Sequence, residues 1–227
     1  YIPVGGAYEI VISANKGTSR DNPLSAGQDT ATITAELVTG DIPSGLKPTL
    51  SITGDGFSLD PETGIVTAAS RGTTAGAIRS ATVTASYEDL EPKSITLYQA
   101  ENKITGYSGD ITVTTNISYP NISSSGGTAN PSGPSWTQAA TYSSGASGTA
   151  NNVGSVSFEK VSGDSAFLVD SSGTVSVGEN PSYENTRSVV VKATITNGSA
   201  SATSTDTVVQ EAATRSDIEI SVSMSLS

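Results

Sequence analysis

With 227 residues, of which 35% are apolar and 5% aromatic, the chain has length for two ordinary domains but too thin an apolar supply for one large enzyme core. Its formal charge of −11 repels phosphate backbones and anionic lipids, so neither nucleic acid nor membrane insertion is expected. With no His and no Cys, Ser-His triads, thiol nucleophiles, imidazole or thiolate metal sites and disulfides are excluded.

Carboxylate-pair hydrolysis is the chemistry left open by the 22 acidic residues, but no spacing marks two of them as facing across a cleft, so the chain is not expected to be an enzyme or to need a cofactor. A cysteine-free chain of this size points to a bacterial or phage protein, or an intracellular one. No run of about twenty apolar residues is present to span a membrane. Because the sequence starts at Tyr1 rather than Met, it is expected to be a fragment or a processed product.

Helical periodicity is absent, and short alternating runs between Gly, Pro, Asn, Asp and Ser predict an all-β fold. In chain order, Ala31, Ile33, Ala35 and Leu37 alternate with Thr32, Thr34 and Glu36. Next comes a hairpin, "FSLDPETGIVTA" (57–68). Its Pro61 presets the turn and its Gly64 supplies the residue able to take a positive φ. Phe57, just upstream, is an expected core anchor. Ala81, Val83, Ala85 and Tyr87 then form a second Thr-spaced inward row, and "LYQAENK" (97–103) closes the segment.

After a boundary near residues 103–109, the elements return. "GDITVTTNIS" (109–118) opens the second set. "FLVDSSGTVSV" (167–177) repeats the Asp-to-Gly hairpin, with Phe167 as its anchor. Val189, Val191, Ala193 and Ile195 repeat the inward row, and Asn197-Gly198 signals a two-residue hairpin. Gly54, Asp55, Asp60, Gly64 and Val66 meet Gly163, Asp164, Asp170, Gly173 and Val175, and Arg79 meets Arg187. The copies lie about 110 residues apart, one immunoglobulin-sized sandwich each.

These hairpins, with the "ATVTASY" and "VVVKATI" strands and the closing Gln of each copy, resemble tandem bacterial immunoglobulin-like domains. The resemblance covers residues 8–104 and 110–215 and implies two antiparallel β-sandwiches, 1–104 and 105–215. It also implies use as a spacer or display module in bacterial surface or tailed-phage virion proteins. "FSLDPETGIVT" is similar to a cadherin hairpin as well, but the acidic interdomain calcium signatures of cadherins are missing.

Three candidate sites follow. Asp55, Asp60 and Glu62, with Asp164 and Asp170, place hard oxygens near turns and are calcium candidates; the alternative is that these Asp residues simply build the turns. Tyr119, Trp136 and Tyr142 sit in a Ser/Gly-rich tract (118–152) expected to be largely an exposed loop. They are read either as a ring platform for sugars or partners, or as the inward row Trp136, Gln138, Ala140, Tyr142 of a strand. Last, Ile218, Ile220, Val222, Met224 and Leu226 alternate with polar residues in "DIEISVSMSLS". This segment (216–227) reads as the first strand of a third repeat or as a strand that pairs with a neighbouring molecule.

The expected function is a non-enzymatic structural, display and adhesion module facing the outside, on a virion or a bacterial surface. Its expected partners are other subunits of that assembly or host glycans. A carbohydrate-binding module and a passive spacer are the alternatives.

Overall fold

The computed structural model describes residues 8–40 and 42–215. The expected strand of Ile218, Ile220, Val222, Met224 and Leu226 lies outside the described residues. Of those described, residues up to Ser108 with Ala140–Gly148 form a first compact unit; Gly109–Ala139 with residues from Thr149 onward form a second.

The first unit is built from β1 (Glu9–Ala14), β2 (Asp29–Thr39), β3 (Ile42–Pro43), β4 (Thr49–Thr53), β5 (Phe57–Asp60), β6 (Ile65–Ala68), β7 (Arg79–Ser86) and β8 (Lys93–Gln99). One sheet runs β1-β2-β6-β5, with β3 paired to β2, and the other runs β4-β7-β8. Alternation in β2 does what period two requires: Ala31, Ile33 and Leu37 are buried while Thr32, Thr34 and Glu36 face solvent. The upper core joins Ile33, Val66 and Ala68 of one sheet to Val83 and Leu97 of the other, with Leu24 between them. Leu24 belongs to no named strand, yet it is fully buried because the chain after β1 crosses to the second sheet. There it runs parallel to the end of β8, its N–H donating to Tyr98 O (2.8 Å) and its carbonyl accepting from Ala100 N (2.7 Å).

The later strands are β9 (Ile104–Thr115), β10 (Gly127–Ala129), β11 (Ser135–Tyr142), β12 (Ser147–Asn151), β13 (Ser155–Gly163), β14 (Leu168–Val169), β15 (Val175–Val177), β16 (Arg187–Asn197) and β17 (Ala200–Gln210). The sheet β13-β16-β17 repeats β4-β7-β8. Ile122 repeats Leu24, bridging in parallel to Gln210 as Leu24 does to Gln99.

The other sheet departs from the first copy. Where β2 is one strand of 11 residues, paired to β6 at one end and β1 at the other, the later copy uses β10 against β15 and β11 between β9 and β12. The interruption is Asn130-Pro131-Ser132-Gly133-Pro134, whose two prolines have no N–H to give a ladder. The Ser/Gly-rich tract is therefore not mainly a loop: it holds β10, β11 and β12. Its small residues weaken strand propensity, but the inward row of β11 supplies the apolar face that propensity alone would not.

Two smaller departures have local causes. Asn197 pairs with Ala200, so the hairpin's turn residues are Gly198 and Ser199, with Gly198 at φ +59°. Phe57, unlike the fully buried Phe167, is half-buried, with the Arg79 guanidinium 5.4 Å from its ring centroid.

The repeated glycine pair Gly54 and Gly163 is fixed by close approach. Both have positive φ, +142° and +113°. A Cβ on Gly54 would lie 2.6 Å from Ala81 Cα, and one on Gly163 would lie 2.4 Å from Ser188 O. Backbone meets backbone at the same point of both copies, where nothing flexible can yield. Gly163→Ala is expected to destabilise the second unit by about 2 kcal/mol or more in denaturant melts, since strained backbone positions cost about 1–3 kcal/mol each. Gly198→Asn, at a positive-φ position with open space around it, is the control and is expected to stay near wild type. Equal losses in both variants would contradict the packing explanation.

Candidate functional site

The aromatic candidates do not form a platform. Trp136 is 8% exposed and packs with Ile111 and Ile195, and its indole N–H donates to Val153 O at 2.6 Å. Tyr142, at 6% exposure, is equally buried, and Gln138 and Ala140 complete the inward row of β11. The strand reading therefore describes these residues, and neither ring offers a face to a sugar.

Tyr119 is half-buried against the cluster that contains Phe167 and Val175. Its phenol donates to Gly173 O (2.7 Å) and its backbone N–H donates to Asp206 Oδ2 (2.8 Å). In the first unit the matching carbonyl, Gly64 O, accepts from Ile33 N–H of β2 (2.8 Å). Tyr119 thus replaces a ladder hydrogen bond that the proline-bearing interruption after β10 removes. Burial, reinforced by the negative charges of Asp206 and Asp170, pushes its phenol pKa up to about 12.

Three of the calcium candidates, Asp60, Asp164 and Asp170, are occupied by their own turns. Asp60 Oδ1 accepts from the backbone N–H groups of Glu62 (3.0 Å) and Thr63 (3.4 Å). Asp170 Oδ1 accepts from Ser172 N (2.8 Å), Ser172 Oγ (2.6 Å) and Thr174 N (3.0 Å). Hydrogen bonding to the carboxylate, first from the Thr63 and Ser172 side chains and then from backbone N–H groups, holds both acids below the ordinary carboxylate range. Asp164 Oδ1 accepts from Ala166 N. Among the described residues, no group of three or more His, Cys, Asp or Glu converges on one point.

One polar constellation recurs in both copies, and the repeat alignment marks it only by its Arg and its Gln. Arg79, first residue of β7, lies opposite Gln99, last residue of β8. Arg79 Nε donates to Gln99 Oε1 (2.6 Å) and Nη2 donates to Ala69 O (2.7 Å) and Gly56 O (3.3 Å). Gln99, fully buried, donates through Nε2 to Gly27 O (2.9 Å) and Ala69 O (3.0 Å). Arg187 and Gln210 repeat this. Arg187 Nη2 donates to Gln210 Oε1 (2.7 Å) and Glu179 O (2.8 Å), and buried Gln210 donates to Gly178 O (2.9 Å) and Ser123 O (3.1 Å). Each clamp ties the closing strand to the opposite sheet and to the segment that crossed over. Sequence reasoning missed its meaning because the carbonyls it gathers carry no side-chain signature.

One cleft, of about 360 Å³, opens in the first unit between the 43–48 loop and the 61–64 turn. β3 stops at Pro43 and β6 starts at Ile65, so β2 is bonded on that side at Ile33 N, by Gly64 O, and at Leu37 O, by Ser44 N. The stretch between them pairs with β1 on its other side, and on the cleft side no strand among the described residues pairs with it. Leu46 and Leu50 line the cleft with Glu36, Lys47 and Glu62 at its sides. It suits a compact partly apolar group and holds no paired acid and base.

No family model matches the chain, and no curated protein matches it. Several solved structures resemble it. Human protocadherin-24 EC1-2 is 14% identical, over 93% of this chain and 100% of that one, with a TM-score of 0.30. Mouse cadherin-23 EC22-24 is 14% identical over 89% and 64%, with a TM-score of 0.38. A SusE-like surface located polysaccharide binding protein from the Bacteroides thetaiotaomicron heparin utilisation locus is 15% identical over 89% and 36%, with a TM-score of 0.27. The likeness is one of fold alone. The fold is all-β, of immunoglobulin-like antiparallel sandwiches, as the sheets described above require.

Tyr119 gives the site a pH test. Its raised pKa means that the neutral phenol is favoured by folding. The Gly173 hydrogen bond is fully present below the unfolded value near pH 10 and is lost as the pH rises toward 12. Tyr119→Phe is expected to lower stability by about 1 kcal/mol at neutral pH, the usual net worth of such a bond. That difference should shrink between pH 10 and 12 in paired denaturant melts. A difference independent of pH over that window would contradict the assignment.

Proposed function

We propose that this chain is a non-enzymatic structural, display and adhesion module of an exposed assembly, a decoration or fibre protein of a phage virion or else a bacterial surface protein. One observation carries this reading: the polar groups inside the sandwiches serve the sandwiches. Among the described residues no buried side-chain nitrogen or oxygen lacks a hydrogen-bond partner. Each sandwich is thus held together by its own polar groups, without help from a ligand or a partner. The two clamps make each unit self-closing, which suits a part that must stand exposed without disulfides. The outward residues of β2 and β16 are mainly Thr, Ser, Lys and Glu, and the strong net negative charge keeps a densely displayed surface soluble.

The virion form is the first choice, because a cysteine-free all-β chain with a strand-like segment beyond its second sandwich suits symmetric assembly. Immunogold labelling with an antibody to the chain is expected to decorate particle surfaces. Labelling confined to bacterial envelopes would overturn the virion form, and labelling confined to the cell interior would overturn the exposed assembly altogether.

A further inference from the structure

We propose that residues 217–227 of one copy pair with the edge of β13 in a second copy, making the chain self-associating by strand addition. This deepens the reading of the chain as an assembly module by naming one partner: itself.

The two edges of the sheet β13-β16-β17 are treated differently. The β17 edge is covered by the chain that crosses over. Ile117 N–H donates to Ser204 Oγ (2.9 Å), Tyr119 N–H donates to Asp206 Oδ2 (2.8 Å), and Ile122 exchanges backbone bonds with Val209 and Glu211. The β13 edge is nine residues long, and among the described residues no strand pairs with it. Edges of that length are ordinarily guarded by charge, proline or a bulge. The Lys160 ammonium, which would be the guard, is turned inward, with Nζ donating to Asp164 O (2.6 Å) and Phe167 O (3.2 Å). Glu159 is neutralised by its cross-strand partner Lys192. A bulge between Lys160 and Ser162 protects one end only, leaving Ser155–Lys160 as regular strand.

The bulge has a second effect. It expels Val161, which is 54% exposed, and Leu168 on the nearby β14 is 69% exposed. Two apolar side chains therefore stand beside an open row of backbone donors and acceptors. The occupant they call for is an extended segment with one apolar face and one small polar face. "SVSMSLS" (221–227) has that pattern, and it matches the opening of β13 itself, "SVSF" (155–158). Its serines would continue the Ser/Thr surface that Ser155 and Thr196 already form with a 3.1 Å hydroxyl contact. Its Val222, Met224 and Leu226 would lie over the exposed apolar pair. The eleven residues of 217–227 are enough to span the edge.

The absence of native cysteine makes a direct test clean. Chains carrying only Ser157→Cys are mixed with chains carrying only Ser223→Cys and oxidised gently. Mixed disulfide dimers are expected well beyond the roughly twofold excess over either homodimer that random pairing gives, and Val161→Lys with Leu168→Lys is expected to bring them back to that random ratio. Light scattering on the cysteine-free chain should show the mass of two or more chains, falling to that of one when 216–227 is deleted. Several results would overturn the proposal: a statistical mixture of disulfides, a full-length chain that stays monomeric, crosslinking only within a double Ser157→Cys, Ser223→Cys chain, or association that survives the deletion. Any of them would leave the immunogold experiment free to decide the broader function.

Discussion

Each sandwich depends on one hydrogen-bonded pair, a half-buried Arg at the start of a strand facing a fully buried Gln at the end of its neighbour. The pair does something that apolar packing cannot do. A sandwich end is a place where several chain segments stop, and their carbonyls must be paired although no ladder continues past them. Gln99 and Gln210, with no exposed surface, supply two N–H donors each, while the guanidinium reaches carbonyls of the opposite sheet. Removing the Gln would orphan the Arg donors on one side and buried carbonyls on the other, each costing about 1–3 kcal/mol. Burial presses the Arg79 guanidinium below its ordinary pKa, and repulsion from Arg71 adds to this; Arg79 holds its place through the acceptors around it.

With that clamp fixed, the rest of each copy has room to diverge. The carbonyl of the hairpin glycine, Gly64 or Gly173, needs a donor in both copies. In one it is the backbone of β2; in the other, where prolines interrupt the strand, it is the Tyr119 phenol. β11 has a complete partner strand in β12, whereas in the first unit β3 ends after two residues at a proline and leaves a cleft. These differences give one architecture two surfaces, and the edge strand β13, with nine residues against the five of its counterpart β4, is a third variation on it. The hairpin aspartates Asp60 and Asp170, by contrast, are spent on turn geometry in both copies, and their lowered pKa values report hydrogen bonding within the turns.

Most of the architecture was legible in the sequence, because period-two burial and turn chemistry are local. The inward rows at 31–37, 81–87 and 189–195, the Asp-to-Gly hairpins, and the Gly54/Gly163 match all carry their own signal. What escaped was non-local. Nothing in "NPSGP" announces that the strand resumes beyond it, so a Ser/Gly-rich tract that holds three strands reads as loop. Trp136 and Tyr142 look alike whether they face a core or a ligand, and only the opposing Ile111 and Ile195 decide the matter for Trp136. Tyr119 looked like a binding ring because its acceptor lies 54 residues away in sequence. The clamp was visible as a repeated Arg and a repeated Gln, but its partners are backbone carbonyls that any residue could provide.

The clamp itself is open to a direct measurement, because Trp136 is the only tryptophan and lies in the second unit, so its fluorescence reads that unit's unfolding. A double-mutant cycle of Arg187→Leu and Gln210→Leu, followed by fluorescence in denaturant, isolates the pair from its surroundings. A coupling of about 1–3 kcal/mol is predicted, as for contacting residues within one hydrogen-bonded network. Additive losses, with no coupling between Arg187 and Gln210, would contradict the account.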